Sequence, residues 1–81
     1  MDYVARTPQQ LGAVLGACRK KLALTQSAVG ARVGIRQAQI SAIENHGADI
    51  TVDTLYRLLS ALDLELVLRD RSPRDAPASE W

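Results

Sequence analysis

Five residues whose side chains suit the edges of DNA base pairs lie almost consecutively: Arg36, Gln37, Ala38, Gln39 and Ser41. A glutamine amide can pair with N6 and N7 of adenine, and an arginine guanidinium with O6 and N7 of guanine. An alanine methyl can pack on a thymine methyl, and serine can hydrogen-bond to several bases. We therefore predict base readout by this group, led by Arg36 and Gln37. The alternative is a solvated surface row, and for Gln39 a place nearer the inward side of its helix.

A second group of residues suits phosphate. Free N–H groups and the helix dipole favour an anion at a helix N-terminus, and one such terminus is predicted at Thr25, Gln26 and Ser27. These contacts would position the protein on DNA without reading its sequence. Lys20, Lys21 and Arg32 would supply positive charge around the phosphates, although each could equally face solvent.

Charge is unevenly distributed along the chain. Between Tyr3 and Ile43 there are six basic residues and no acidic ones, whereas the stretch from Glu44 to Trp81 has eight acids and four bases. The net charge is nevertheless only +1. This asymmetry favours a polyanion as the partner of the first half and a different partner for the second. A basic but merely solvated helix face is the simpler alternative.

Other function classes lack the residues they need. The single Cys18 and single His46 cannot form a disulfide, a cysteine-based zinc site or a Cys/His nucleophile pair. Paired carboxylates and glycine-rich loops are also missing, so we expect no enzyme activity, cofactor, metal or small-molecule substrate. No apolar run reaches the roughly 18 residues of a membrane span, and the start is not a secretory signal. We therefore expect a cytoplasmic protein with no membrane contact.

The elements that must position these residues are four helices within a chain of 81 residues. Thr7, Thr25 and Thr51 are each placed to cap a helix N-terminus, and Gly34 suits the end of the second helix. Apolar residues at i, i+3, i+4 and i+7 mark the first and fourth helices. The predicted helices are Pro8 to Lys21, Thr25 to Val33, Arg36 to Asn45 and Thr51 to Leu62.

The pattern changes after the fourth helix. Leu64, Leu66 and Leu68 alternate with Glu65, Val67 and Arg69, as in a strand with one apolar face. Because no other segment offers a mate, we predict that Leu64, Leu66, Val67 and Leu68 pair with the same strand of a second copy. The alternative is an extension of the fourth helix. The predicted division is therefore an arm (1–6), a helical domain (7–62), a dimerisation strand (63–70) and a flexible tail (71–81).

Two short helices joined through Gly34 form a helix-turn-helix pattern. Its spacing resembles the lambda-repressor-like (Xre) family over residues 7–62, through Arg19, Thr25-Gln26, Gly34-Ile35, Ile40-Ser41, Ile43-Glu44, Thr54-Leu55 and Leu58/Leu59/Leu62. The resemblance implies a mostly α fold of four or five helices that binds DNA. It also implies phosphate contacts by Gln26 and Asn45 and an ion pair between Arg19 and Glu44.

Features outside the helix-turn-helix narrow the resemblance to HipB-type antitoxins. They are the Thr7 to Leu11 start, the Leu62 to Leu66 stretch and the final Glu80-Trp81. The resemblance implies a homodimeric, nucleoid-associated repressor of palindromic double-stranded operator DNA that also binds a HipA-type serine/threonine kinase toxin. Trp81 would anchor that partner. The alternatives are a stand-alone repressor or controller of the same fold, and a protein-binding adaptor that does not contact DNA.

Overall fold

A computed structural model describes residues 1–71 of the chain. It contains the predicted mostly helical fold, with α1 at Pro8–Lys21, α2 at Gln26–Val33, α3 at Gln37–His46 and α4 at Val52–Ala61. No helix among these residues is long and apolar enough to cross a membrane. The predicted anchor Trp81 lies outside the described residues.

Three of the helices begin at a threonine cap. The hydroxyls of Thr7, Thr25 and Thr51 each accept a hydrogen bond from the backbone N–H three residues later, at 3.0 to 3.1 Å. Such caps satisfy one of the otherwise unpaired N–H groups of a helix start. The threonines therefore fix where α1, α2 and α4 begin.

The start of α3 differs from the prediction by one residue. Arg36 has extended backbone angles and is the cap, so the helix begins at Gln37 and continues to His46. Arginine has no side-chain oxygen to serve as a cap acceptor. Instead, Oε1 of Gln39 accepts a hydrogen bond from the backbone N–H of Arg36 at 3.1 Å. Gln39 thus supplies local support that the cap residue itself cannot give.

A single apolar core holds the helices together. It joins the inward faces of all four helices through the buried side chains of Leu15, Val29, Val33, Ile40, Ile43, Leu58, Leu59 and Leu62. The turn between α2 and α3 passes through Gly34 at φ 86°, a left-handed conformation that glycine adopts without a steric penalty. This turn brings the N-termini of the two helices to neighbouring positions.

Helix α3 packs closely on α1. A side chain at Gly12 would overlap the carbonyl oxygen of Ile43, and one at Gly16 would lie 3.1 Å from Oε1 of Glu44. The backbone of α1 therefore lies directly against the C-terminal half of α3. This contact sets the height and tilt of α3 relative to the body of the protein.

Helix α4 ends without extending into the next segment. Asp63 adopts a left-handed conformation at φ 59°, and the N–H of Leu64 returns to the carbonyl of Leu59 at 2.8 Å. The alternative of a longer fourth helix is therefore wrong.

The segment that follows α4 packs against the core through Leu64 and then exposes three apolar side chains. Leu66, Val67 and Leu68 are 45%, 68% and 89% exposed. The described single chain has no strand at 63–70, because a strand requires a hydrogen-bonded neighbour and no other segment within 1–71 provides one. Pairing across a dimer stays a prediction.

The N-terminal arm lies along the body of the protein. Nζ of Lys21 donates to the hydroxyl of Tyr3 at 3.3 Å, and the side chains of Arg69 and Asp2 lie 3.5 Å apart. Both contacts are exposed, and exposed ion pairs stabilise proteins only weakly. The arm thus lies near the 63–70 segment without being fixed to it strongly.

Candidate nucleic-acid interface

The residues predicted to read bases lie at the start of α3 and largely face outward. Arg36, Gln37, Ala38 and Gln39 are all exposed, so the alternative that Gln39 lies toward the inward side of its helix is wrong. Because Oε1 of Gln39 accepts the Arg36 N–H, its Nε2 group is the part left for an outside partner. Ser41 is only half-buried rather than fully outward, and its hydroxyl accepts a hydrogen bond from Nδ2 of Asn45 at 3.1 Å.

The N-terminus of α2 lies beside these residues. Thr25 and Ser27 are exposed, and Gln26 is half-buried between them. Nε2 of Gln37 donates to Oε1 of Gln26 at 2.5 Å, so the first turns of α3 and α2 are directly joined. The surface formed by Gln26, Gln37 and Ala38, together with the exposed cap residues Thr25 and Arg36, is called the α2–α3 face below.

Behind the α2–α3 face lies a buried ion pair between α1 and α3. Nε and Nη2 of Arg19 donate to the two carboxylate oxygens of Glu44 at 2.7 and 3.0 Å, and the two side chains are 11% and 9% exposed. The structure thus contains the pair that the family resemblance implies. Nη1 of Arg19 also donates to the carbonyl of Leu24 at 2.7 Å, which ties the α1–α2 loop to the same group.

The ion pair is connected to the surface through Gln26. Its Nε2 donates to Oε1 of Glu44 at 3.1 Å. Burial alone would raise the pKa of Glu44, but hydrogen bonds from Arg19 and Gln26 and the charges of Arg19 and Lys20 outweigh it and lower that pKa. The hydrogen bond to Glu44 raises the pKa of Arg19, against the opposing effect of burial. The pair is therefore fully charged at neutral pH.

The predicted cationic residues do not gather at one place. Lys20 is exposed and close enough to Glu44 to lower the pKa of that carboxyl. Lys21 contacts Tyr3 of the N-terminal arm. Arg32, at the far end of α2, lines a shallow groove against α4 with Asp53, Tyr56, Arg57, Ser60 and Ala61. The structure therefore does not bring Arg32 to the α2–α3 face.

Sequence reasoning missed the two amide contacts of Gln26. A glutamine was expected to contact phosphate, and nothing in its position alone indicated that it bridges Gln37 and Glu44. The signal in the sequence that could have indicated these contacts is a glutamine in the first turn of each helix of the helix-turn-helix. Among residues 1–71, no three His, Cys, Asp or Glu side chains are grouped so as to hold a metal ion.

The close-packed α2 and α3, the Gly34 turn and the exposed start of α3 define a helix-turn-helix domain of the lambda-repressor-like class. A family described as helix-turn-helix matches residues 15–68. Antitoxin HipB of Escherichia coli K12 is 31% identical over 74 residues, which are 91% of this chain and 84% of that protein. The chain belongs to this helix-turn-helix family and, within it, to the HipB antitoxins.

Solved structures agree with this assignment. A complex of HipB with an O4 20mer has a TM-score of 0.76 and 32% identity, and the match covers 85% of this chain and 97% of that one. A HipA–HipB–O2–O3 complex gives the same TM-score, identity and coverage. The similarity thus extends over the four helices and beyond the helix-turn-helix itself.

Proposed function

We propose that this chain is an antitoxin and transcriptional autorepressor that binds palindromic operator DNA as a dimer and also binds a HipA-type serine/threonine kinase toxin. The HipB relatives support it, because they have been solved with operator DNA and together with HipA. The observation in this chain that carries the proposal is the Gln37–Gln26 hydrogen bond at 2.5 Å. It joins the amide that we propose reads a base to the helix N-terminus that we propose binds phosphate.

The α2–α3 face divides the work of DNA binding between two helices. The N-terminus of α2 offers N–H groups and the positive end of its dipole to a phosphate, with Thr25, Gln26 and Ser27 around it. The start of α3 enters the major groove, where Arg36 and Gln37 reach base edges and Ala38 packs on a thymine methyl. Gln39 contributes its free Nε2, and Asn45, in the last turn of α3, contacts a phosphate. Lys20 and Lys21 add positive charge.

The chain acts by binding rather than by catalysis, in the cytoplasm where its DNA lies. Two copies join through Leu64, Leu66, Val67 and Leu68. This contact would cover Leu66, Val67 and Leu68, whose apolar side chains the single chain leaves exposed. Two α2–α3 faces held at a fixed spacing match the two half-sites of a palindrome. The same dimer leaves the acidic second half of the chain for the toxin, with Trp81 as an anchor.

A gel shift on DNA upstream of the gene, repeated across salt concentrations, tests the DNA part. Affinity should fall by roughly 0.9 log units per log unit of salt for each phosphate neutralised. Binding that ignores salt, or no binding at all, would favour the adaptor alternative.

Co-purification with the protein encoded next to this chain tests the toxin part. Trp81→Ala should weaken capture of the kinase while the free dimer keeps its DNA affinity. A kinase affinity that does not change would contradict the anchor role, and the lack of any kinase partner would favour a stand-alone repressor.

A further inference from the structure

A glutamine that reads a base must present the correct end of its amide. Adenine offers one acceptor, N7, and one donor, N6, whereas guanine offers two acceptors, N7 and O6. A glutamine that shows its oxygen and one N–H therefore suits adenine, and one that shows both N–H groups suits guanine. The two orientations of the amide differ little in shape, so neighbouring groups must select one.

In this chain, the group that selects the orientation of the Gln37 amide is the Glu44 carboxylate, which is connected to Gln37 by two hydrogen bonds through Gln26. A carboxylate can only accept hydrogen bonds. Gln26 must therefore turn its Nε2 toward Glu44, as observed at 3.1 Å, which leaves its Oε1 facing Gln37. Gln37 must then donate its own Nε2 to that oxygen, as observed at 2.5 Å. Its Oε1 and its second N–H are left for the groove.

The Arg19 guanidinium fixes the origin of this series. It donates to both oxygens of Glu44, so the carboxylate cannot rotate away from Gln26 without losing a bidentate pair. The Glu44 side chain is 9% exposed, so little solvent competes for its oxygens. Low exposure also strengthens the hydrogen bonds that Arg19 and Gln26 donate to Glu44, which are partly buried.

We propose that Glu44 is a positioning residue for base readout, which acts through Gln26 to hold the Gln37 amide in the orientation that prefers adenine. This role rests on the proposed DNA-binding function. It assigns Glu44 a part in sequence preference in addition to its part in holding α1 and α3 together. A neutral amide at position 44 could present either end to Gln26, so the orientation of Gln37 would no longer be selected.

The test compares affinities for two operator duplexes, one with adenine and one with guanine at a single position. That position is the one at which Gln37→Ala abolishes the preference between the two bases. Glu44→Gln should reduce the adenine-to-guanine affinity ratio at least threefold, out of the roughly 5- to 150-fold that one bidentate contact supplies. Arg19→Lys is the matched control, because it also weakens the ion pair, while a carboxylate that is free to rotate still offers only acceptor oxygens to Gln26. Its ratio should stay within about twofold of the unmodified protein, well inside the range of a single lost contact.

A second substitution should restore the preference. In Glu44→Gln/Gln26→Glu, the new carboxylate accepts directly from Nε2 of Gln37, so the ratio should recover although overall affinity falls near phosphate. If Glu44→Gln does not fold, Gln26→Leu removes the connection with the ion pair intact and should lower the ratio by the same factor. Affinity for each duplex is measured only with variants that circular dichroism shows to be folded.

The outcomes separate this role from the proposed function. If the unmodified protein does not bind the operator, or Gln37→Ala changes no base preference, the proposed readout fails. If that readout holds but Glu44→Gln keeps the full ratio, or Arg19→Lys loses as much, Glu44 has only a structural role and the inference is overturned.

Discussion

Nε2 of Gln37 lies 2.5 Å from Oε1 of Gln26, so the side chain at the start of α3 is held by the start of α2 before any DNA arrives. An exposed glutamine otherwise samples many rotamers, and ordering a side chain at an interface costs about 0.5–1.5 kcal/mol. Because the hydrogen bond to Gln26 already orders the Gln37 side chain, part of this entropy loss occurs in the free protein. A preorganised amide favours a smaller rearrangement on binding and a sharper choice between bases.

Gln37→Ala should weaken binding to the matched operator by about 1–3 kcal/mol, because it removes a bidentate contact to a base. The same change should weaken binding to unrelated DNA much less, since phosphate contacts remain. Fluorescence anisotropy with both duplexes measures the two losses. Gln9→Ala, an exposed glutamine in the first turn of α1, is the control and should change neither. Equal losses on both duplexes would contradict base readout by Gln37.

Glu44→Ala should lower the free energy of unfolding by about 3 kcal/mol or more, because it leaves the buried Arg19 guanidinium without its partner. Thermal or urea unfolding measures the change. Asp53→Ala is the matched control, since Asp53 and Arg57 form an ion pair at 3.0 Å that is 73% and 61% exposed. That pair should contribute less than about 0.5 kcal/mol. Similar losses for the two variants would show that the Arg19–Glu44 pair is energetically unimportant.

Acid should weaken the fold through Glu44. The folded state lowers the pKa of this carboxyl, so the folded state binds fewer protons than the unfolded state as pH falls toward that range. The stabilisation is complete above the ordinary glutamate pKa of about 4.3 and is lost as the pH falls through the lower folded value. Urea unfolding at a series of pH values from neutral to acid follows this loss. Glu44→Gln should show a shallower decline, and an identical decline would assign the acid sensitivity to other carboxylates.

Leu66→Asp/Leu68→Asp should weaken self-association at least tenfold, because it places charge where apolar side chains are proposed to meet across the dimer. The helical content should not change, since both leucines are exposed in the single chain. Sedimentation velocity measures the association. Val52→Asp is the control, because Val52 is a 69% exposed apolar residue at the start of α4, and this variant should still dimerise. A dimer unaffected by the double substitution would place the contact elsewhere.

The helices were predictable to within a residue because their boundaries depend on local chemistry. Threonine caps and the Gly34 turn act over three or four residues, and apolar spacing also marks α1 and α4. The boundary of α3 shifted because its cap is an arginine and the supporting oxygen comes from Gln39. The sequence did not indicate that Gln39 would accept the hydrogen bond from Arg36.

The contacts within the candidate site were less predictable, because they depend on how three helices meet. The Arg19–Glu44 pair was expected from family resemblance rather than from spacing, as the two residues are 25 positions apart. The two hydrogen bonds of Gln26 need α2, α3 and the ion pair to be in place together. The 63–70 strand could not be decided in one chain, since its proposed mate belongs to another.

The absence of a side chain at Gly12 bears on how such repressors could acquire new targets. Because the carbonyl of Ile43 lies against bare backbone there, the seating of α3 does not depend on the residues that face outward. Positions 36 and 38 could therefore be exchanged for other amino acids while the docking angle stays the same. Libraries randomised at those two positions should yield folded proteins with altered DNA targets. Adding Gly12→Ala should disrupt the packing of α3 on α1 in every member of the library.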